Sequence, residues 1–213
     1  MRRLVFIFAL PLFVLGAVVL DRIAVIAGTH VIKLSDIDRD IRLTEFLNQV
    51  PLSVDPKAKR ESAERLITQQ MIRDEMVSGG YRRPPEDLAS QLETDLRRDQ
   101  YGASKQRLDA ALERYGLSES QLRAQLLWQI TVLGFINQRF RGGVVVTDEE
   151  VKKYYDEHAS NLKRQYPKEK DFEALEPKIR TLLEDERIDQ NFDEWLDQTR
   201  KSYHVEYKQG AFE

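Results

Sequence analysis

The chain has 213 residues and a formal net charge of −3, and 41% of its residues are hydrophobic while 32% are charged. This hydrophobic content excludes a chain that is disordered by composition. The near balance of acidic and basic residues gives no reason to expect nucleic acid as a partner. The sequence contains no cysteine, which excludes disulfides, thiol nucleophiles, thiolate metal ligands and lipid attachment at a processed cysteine.

The first residues have the pattern of an export signal. Met1-Arg2-Arg3 is followed by an apolar run from Leu4 to Leu20 that contains Pro11, as in secretory signal peptides. We therefore predict a signal peptide over residues 1–17, cut after Ala17, and a periplasmic mature chain. An uncleaved inner-membrane anchor that faces the periplasm is the alternative, although a spanning helix needs about 20 apolar residues and this run is slightly shorter.

A strand, a tight turn, a second strand and a helix are predicted over residues 21–38. Gly28-Thr29 suits a hairpin turn, and Ser35 with Asp38 three positions later suits the start of a helix. At the other end of the chain, a helix that contains Phe192 to Leu196 is predicted to lead into a last strand, His204 to Tyr207.

Cap and stop residues divide the rest of the chain into helices. The predicted helix starts are Asp55-Pro56, Pro84-Pro85, Ser104, Ser118 with Gln121, and Thr147 with Glu150. The helix from Ser118 to about Phe140 is apolar on several faces, so it must be buried on several sides or offer apolar surface to a partner. The polar stretch from Ala159 to Lys170 predicts a loop, and Gly142-Gly143 predicts a hinge. A helical pattern resumes at Phe172.

Four segments of this chain resemble the SurA family of periplasmic folding factors. They are residues 21–38, residues 145–158, residues 172–180, and residues 192–207. The helix and strand patterns along the chain predict a mainly α fold of about seven helices with a small β-sheet. The resemblance implies that the N-terminal hairpin and the C-terminal strand share that sheet. The segment from Pro51 to Phe140 matches only as a helical pattern.

The resemblance also implies a domain layout, and it shows one departure. Residues 18–158 correspond to the helical chaperone domain, and residues 171–213 to the helix and strand that complete it. Some relatives carry a parvulin-type prolyl isomerase domain between these two parts. Here residues 159–170 are the only linker, and a segment this short cannot hold a folded domain.

The function implied by the resemblance is that of an ATP-independent holding chaperone. It would bind unfolded polypeptides, in particular outer-membrane β-barrel precursors, without isomerase activity. The alternatives are a peptidyl-prolyl isomerase of the same superfamily and a membrane-anchored assembly factor at the secretion channel. We predict no cofactor, because the sequence has no phosphate-binding or dinucleotide motif, and no metal, because His30, His158 and His204 each stand alone.

No catalytic residue is predicted, and the candidate client contacts are aromatic residues. For any one of them, packing in the core is the more usual role. Exchange of a strand or helix between two chains would give a homodimer, and the sequence leaves this open. The candidates are Tyr101, Tyr115, Trp128, Phe135, Phe140 and Tyr154.

Overall fold

The computed structural model describes residues 21–169 and 171–212, so the predicted signal peptide over residues 1–17 lies outside the described residues. Within these ranges the chain forms seven α-helices and a three-stranded sheet, which confirms the predicted mainly α fold. A short 3₁₀ turn, Arg141–Gly143, follows the fifth helix. In chain order the elements are β1 (Ile23–Ala27), β2 (His30–Lys33), α1 (Leu34–Asn48), α2 (Pro56–Ser78), α3 (Asp87–Tyr101), α4 (Lys105–Tyr115), α5 (Glu119–Phe140), α6 (Asp148–Gln165), α7 (Phe172–Ser202) and β3 (Val205–Tyr207).

The sheet joins the two ends of the described chain. Its strand order is β2-β1-β3, and the central strand β1 is antiparallel to both neighbours. Next to the strands, the Gly28 backbone N–H donates to the His204 carbonyl at 2.8 Å, and the Lys208 N–H donates to the Ala24 carbonyl at 2.9 Å. The prediction that the first hairpin and the last strand share one sheet is therefore confirmed.

One face of this sheet covers the first hydrophobic core. Ala24, Val25 and Ala27 of β1 are buried against apolar residues of α1 and α2. The C-terminal end of α7 reaches the same core through Leu196 and Tyr203. The long helix α7, 31 residues in length, is therefore fixed to the sheet at its end.

Most of the predicted helix starts are confirmed. Asp55 caps α2 with proline at the first helical position, Ser104 caps α4, and Ser118 and Thr147 form capping boxes with Gln121 and Glu150. The predicted cap of α1, Ser35, was wrong by two residues, because the N-cap is Lys33. The helix itself begins at Leu34, and the Asp36 carboxylate accepts from the Lys33 N–H at 3.0 Å.

Ser35 has a different role from the predicted cap. Its hydroxyl donates to the Asp21 carboxylate, and Lys33 lies near the same group. These contacts lower the pKa of Asp21, with the Ser35 hydrogen bond as the main cause. Ser35 therefore ties the start of the described chain to α1.

The loop predicted between Ala159 and Lys170 is mostly helical. Helix α6 continues to Gln165, and residues 166–171 alone connect it to α7. The polar sequence gave no sign of this extension. Among its described side chains one residue, Leu162, is buried, and it packs in the α6–α7 core with Ile179. Pro177 lies inside α7, which begins five residues earlier at Phe172 and is capped by Asp171.

Ion pairs reinforce the α6–α7 pair. The Arg187 guanidinium donates to the Glu150 carboxylate at 2.8 Å, and the Thr147 N–H donates to the same carboxylate at 2.8 Å. The backbone hydrogen bond from Thr147, followed by the bond from Arg187, lowers the pKa of Glu150 from an ordinary 4.5 to about 2. The start of α6 is thereby fixed to α7 by a carboxylate that stays ionised.

No helix in the described ranges has both the length and the apolar content that a bilayer crossing requires.

Gly28 provides a test of the contact between the two chain ends. Its φ is +60°, and an added Cβ would lie 2.6 Å from the Tyr203 hydroxyl oxygen, which donates to Asp74 at 2.5 Å. The left-handed backbone alone costs an alanine about 1–2 kcal/mol, and loss of the hydrogen bond to Asp74 adds about 1.5–3 kcal/mol. Gly28→Ala should therefore lower the free energy of unfolding by about 3 kcal/mol or more, measured by urea denaturation.

Gly80→Ala is the matched control for this prediction. Gly80 has a φ of +65°, and nothing lies within 4 Å of the position of its added Cβ. Only the backbone strain of about 1–2 kcal/mol should appear there. Equal losses for the two variants would show that the approach of Tyr203 to Gly28 does not stabilise the fold.

Candidate functional site

A concave surface lies between α2 and α5, and we call it the α2–α5 cleft. It has two parts that adjoin at Arg73, Ala124 and Trp128, which line both. Their cavity volumes are about 480 Å³ and about 600 Å³, within the range of about 300–1,000 Å³ that is usual for ligand pockets. The cleft is therefore large enough for several side chains of a bound molecule.

The first part, which we call the glutamine end, lies beside the sheet. Val31 and Leu66 provide apolar surface there, and Val31 is 47% exposed on the edge strand β2. Four side-chain amides line this part: Gln69 and Gln70 from α2, and Gln121 and Gln125 from α5.

Three of the charged residues at the glutamine end, Asp36, Arg39 and Asp40, form ion pairs within the protein. The Arg65 guanidinium contacts the buried Asp40 carboxylate at 2.7 Å, and Arg39 pairs with Asp36. The Arg65–Asp40 contact joins α2 to α1, so it also fixes the wall of the cleft. Apart from Arg73, which it shares with the second part, this part of the cleft therefore offers amides and apolar surface and little net charge.

The second part, which we call the arginine end, lies where α2 ends. Its apolar lining includes Met76, Val77 and Leu127, and Val77 is 74% exposed. Arg73 and Arg83 line it as well. In the part of the chain that the structure describes, neither guanidinium lies within 4.0 Å of a carboxylate.

Trp128 separates the two ends and holds Arg73 in place. The Arg73 guanidinium carbon lies 4.2 Å from the centre of the Trp128 ring, a cation–π geometry. The pKa of Arg73 is lowered, mainly because surrounding protein desolvates its charge and secondly because Arg83 is close. Both causes disfavour a positive charge at this position, so an anion bound there would be stabilised.

An aromatic cluster behind the cleft fixes the position of α5. Phe135 is 2% exposed and lies 5.5 Å from Trp195 and 6.0 Å from Phe140, measured between ring centres. Phe192 completes the cluster on α7. The far side of α5 is therefore packed on α7, and the near side lines the cleft.

The six residues predicted to contact a client lie in different parts of the structure. Trp128 lines the α2–α5 cleft. Phe135 is a core residue, the role that the sequence analysis held to be the more usual one for each candidate, and half-buried Phe140 packs in the same aromatic cluster.

The three tyrosines lie elsewhere. Tyr101 and Tyr115 line a separate shallow cavity of about 370 Å³ with Phe46 and Leu52. Tyr154 stacks on His158 of α6, with 4.1 Å between ring centres. The structure therefore does not bring these tyrosines together with Trp128.

Sequence analysis missed Arg73, Arg83 and the four glutamines. No local signal identifies them, because polar residues on an amphipathic helix are ordinarily solvated. Their grouping depends on the packing of α2 against α5, about fifty residues apart in the chain.

In the described residues, no three or more His, Asp or Glu side chains form a group that could hold a metal ion. His30 instead lies 3.2 Å from Asp74. In comparisons with known proteins, no protein-family model matches the chain, and no curated protein matches it significantly.

Two substitutions on α5 distinguish a core aromatic residue from a cleft aromatic residue. Phe135→Ala should lower the free energy of unfolding by about 3–5 kcal/mol, because it leaves a cavity in the packed cluster. Trp128→Ala should cost clearly less, because that ring is only half-buried and its stacking on the partly desolvated Arg73 contributes about 1–2 kcal/mol. Urea denaturation followed by circular dichroism measures both, and equal losses would show that Trp128 is part of the core.

Proposed function

We propose that this protein is an ATP-independent holding chaperone that binds extended segments of unfolded polypeptides in the α2–α5 cleft. The proposed clients are outer-membrane β-barrel precursors in the periplasm. Such precursors carry alternating apolar side chains, and their strand edges stay unpaired until the barrel closes. Capture of single segments would keep those edges from pairing with one another.

The observation that carries this proposal is the combination of amides and apolar groups at the glutamine end. A side-chain amide has both donors and an acceptor, so it can pair with the backbone of any extended peptide. Gln70 uses an N–H for Asp74, and Gln121 uses its oxygen for the Ser118 cap. Each still has further hydrogen-bonding groups for a ligand.

Apolar residues in the same cleft supply affinity without strict sequence rules. Val31, Leu66 and the Trp128 ring can each contact an apolar side chain of the client. Because the cleft is open to solvent, contact with it buries only part of a client, and release needs no energy source. This fits the lack of any nucleotide motif in the sequence.

The proposal includes no isomerase activity. Some members of the family that this chain resembles carry the isomerase domain between the helices that correspond to α6 and α7. In this chain residues 166–171 connect these two helices. Six residues are too few for a folded domain. A proline-peptide assay is therefore included as the test of the competing enzymatic function.

The proposal is tested by dilution of a urea-unfolded outer-membrane barrel protein into buffer, with aggregation followed by light scattering. The wild-type protein at equimolar ratio should suppress the aggregation. Ala124→Trp should abolish the suppression, because Ala124 is an exposed residue that lines both parts of the cleft, and a tryptophan there would fill it.

Ala110→Trp is the matched control. Ala110 is also exposed on a helix, α4, and lines none of the cavities described above, so this variant adds the same apolar surface elsewhere. It should suppress aggregation as the wild type does. Lack of suppression by the wild type would refute the chaperone function, and acceleration of proline isomerisation would support the enzyme instead.

A further inference from the structure

The arginine end of the cleft is a local concentration of positive charge on a chain with a net charge of −3. Arginines nearby are neutralised: Arg123 contacts Glu93 at 2.5 Å, and Arg139 contacts Glu75 at 2.5 Å. Arg73 and Arg83 lack such a carboxylate in the described ranges, and both line the same cavity.

Arg73 is preorganised for a ligand. Its guanidinium is held on the Trp128 ring at 4.2 Å and reaches Gln69 at 3.4 Å. A guanidinium that is already oriented loses less freedom when it binds a carboxylate, and its planar fork matches the two carboxylate oxygens. The desolvation and the charge of Arg83 that lower the pKa of Arg73 would both be offset by a bound anion.

The residues around Arg73 and Arg83 indicate which kind of anion would fit this end of the cleft. Met76, Val77 and Leu127 line the same cavity as Arg73 and Arg83, so a free small anion would leave this apolar surface uncovered. A carboxylate with apolar groups on both sides would use both features. The adjoining glutamine end continues the groove past Trp128, so the bound chain can extend beyond the carboxylate.

We propose that the arginine end of the α2–α5 cleft binds a side-chain carboxylate of the client, and that the preferred segments are extended stretches with an aspartate or glutamate between apolar residues. This inference rests on the proposed function, because it names the client sequence that the same cleft selects. The carboxylate contacts Arg73 and Arg83, and the flanking apolar side chains contact Val77 and Leu127.

The test uses two short peptides that differ in one group. Each alternates valine or phenylalanine with threonine, carries an uncharged fluorescent dye and has blocked ends. The central residue is glutamate in one peptide and the isosteric glutamine in the other, so the only carboxylate is the one in question. Affinities for the full-length protein are measured by fluorescence anisotropy at low and high salt.

The wild type should bind the glutamate peptide about tenfold more tightly than the glutamine peptide, as expected for a charge-assisted hydrogen bond. High salt should reduce this preference. Arg73→Gln and Arg83→Gln should each reduce it to near unity while the glutamine peptide still binds. Arg60→Gln is the control, since Arg60 is an exposed arginine of α2 that lines no part of the cleft, and it should keep the preference.

The outcomes separate this inference from the proposed function. Equal binding of both peptides to the wild type, or a preference that survives Arg73→Gln and Arg83→Gln, overturns the inference and leaves the chaperone function standing. Lack of binding of both peptides overturns both. Binding of phosphatidylglycerol vesicles through Arg73 without binding of peptide would also overturn it, because the site would then take a membrane surface.

Discussion

The pairing of β1 with both the second and the last strand is the constraint on which the rest of this structure depends. β1 has hydrogen-bonded neighbours on both sides, so the chain must return to its start after helix α7. The contact between Tyr203, Asp74 and the turn at Gly28 reinforces this return. The end of α7 is therefore fixed beside α2.

The position of α7 in turn sets the position of α5. Trp195 and Phe192 of α7 pack on Phe135 and Phe140 of α5, and Met76 at the end of α2 joins the same cluster. With α5 held from behind by α7, its opposite side faces α2 across the cleft. The cleft thus follows from the closure of the chain ends, although none of its lining residues belongs to β1 or β3.

The different surroundings of α5 on its several sides explain why this helix is apolar on more than one face. A helix that is apolar on several faces must be buried on several sides or expose apolar surface, and α5 does both. Phe135 and Leu126 are buried in two different cores, while Leu127 and Trp128 line the cleft. Its apolar pattern therefore reflects packing in two cores and a wall of the cleft on one helix.

Local signals in the sequence were sufficient for most of the fold. Asp55-Pro56, Ser118 with Gln121 and Thr147 with Glu150 are caps whose hydrogen bonds involve residues three positions apart, so the sequence contains the whole interaction. The extension of α6 to Gln165 was missed because its stabilising contact, Leu162 with α7, is not local.

The candidate site was harder to predict from the sequence than the fold. Trp128 was identified from its chemistry alone, but Phe135 has the same chemistry and lies in the core. Which of the two aromatic residues faces solvent depends on where α7 packs. Arg73 and Arg83 gave no signal, because a lack of carboxylates around an arginine is a property of the folded surface.

The most direct test of the account is a photocrosslinking experiment that asks where a client lies. A photoreactive phenylalanine analogue would replace Val77 in the cleft or, as the control, Leu182 on α7, which is 40% exposed and lines no part of the cleft. The account predicts crosslinks to an unfolded outer-membrane barrel protein from position 77, reduced by excess competitor peptide, and few from position 182. Equal yields from both positions, or crosslinks from position 182 alone, would contradict the assignment of binding to the α2–α5 cleft.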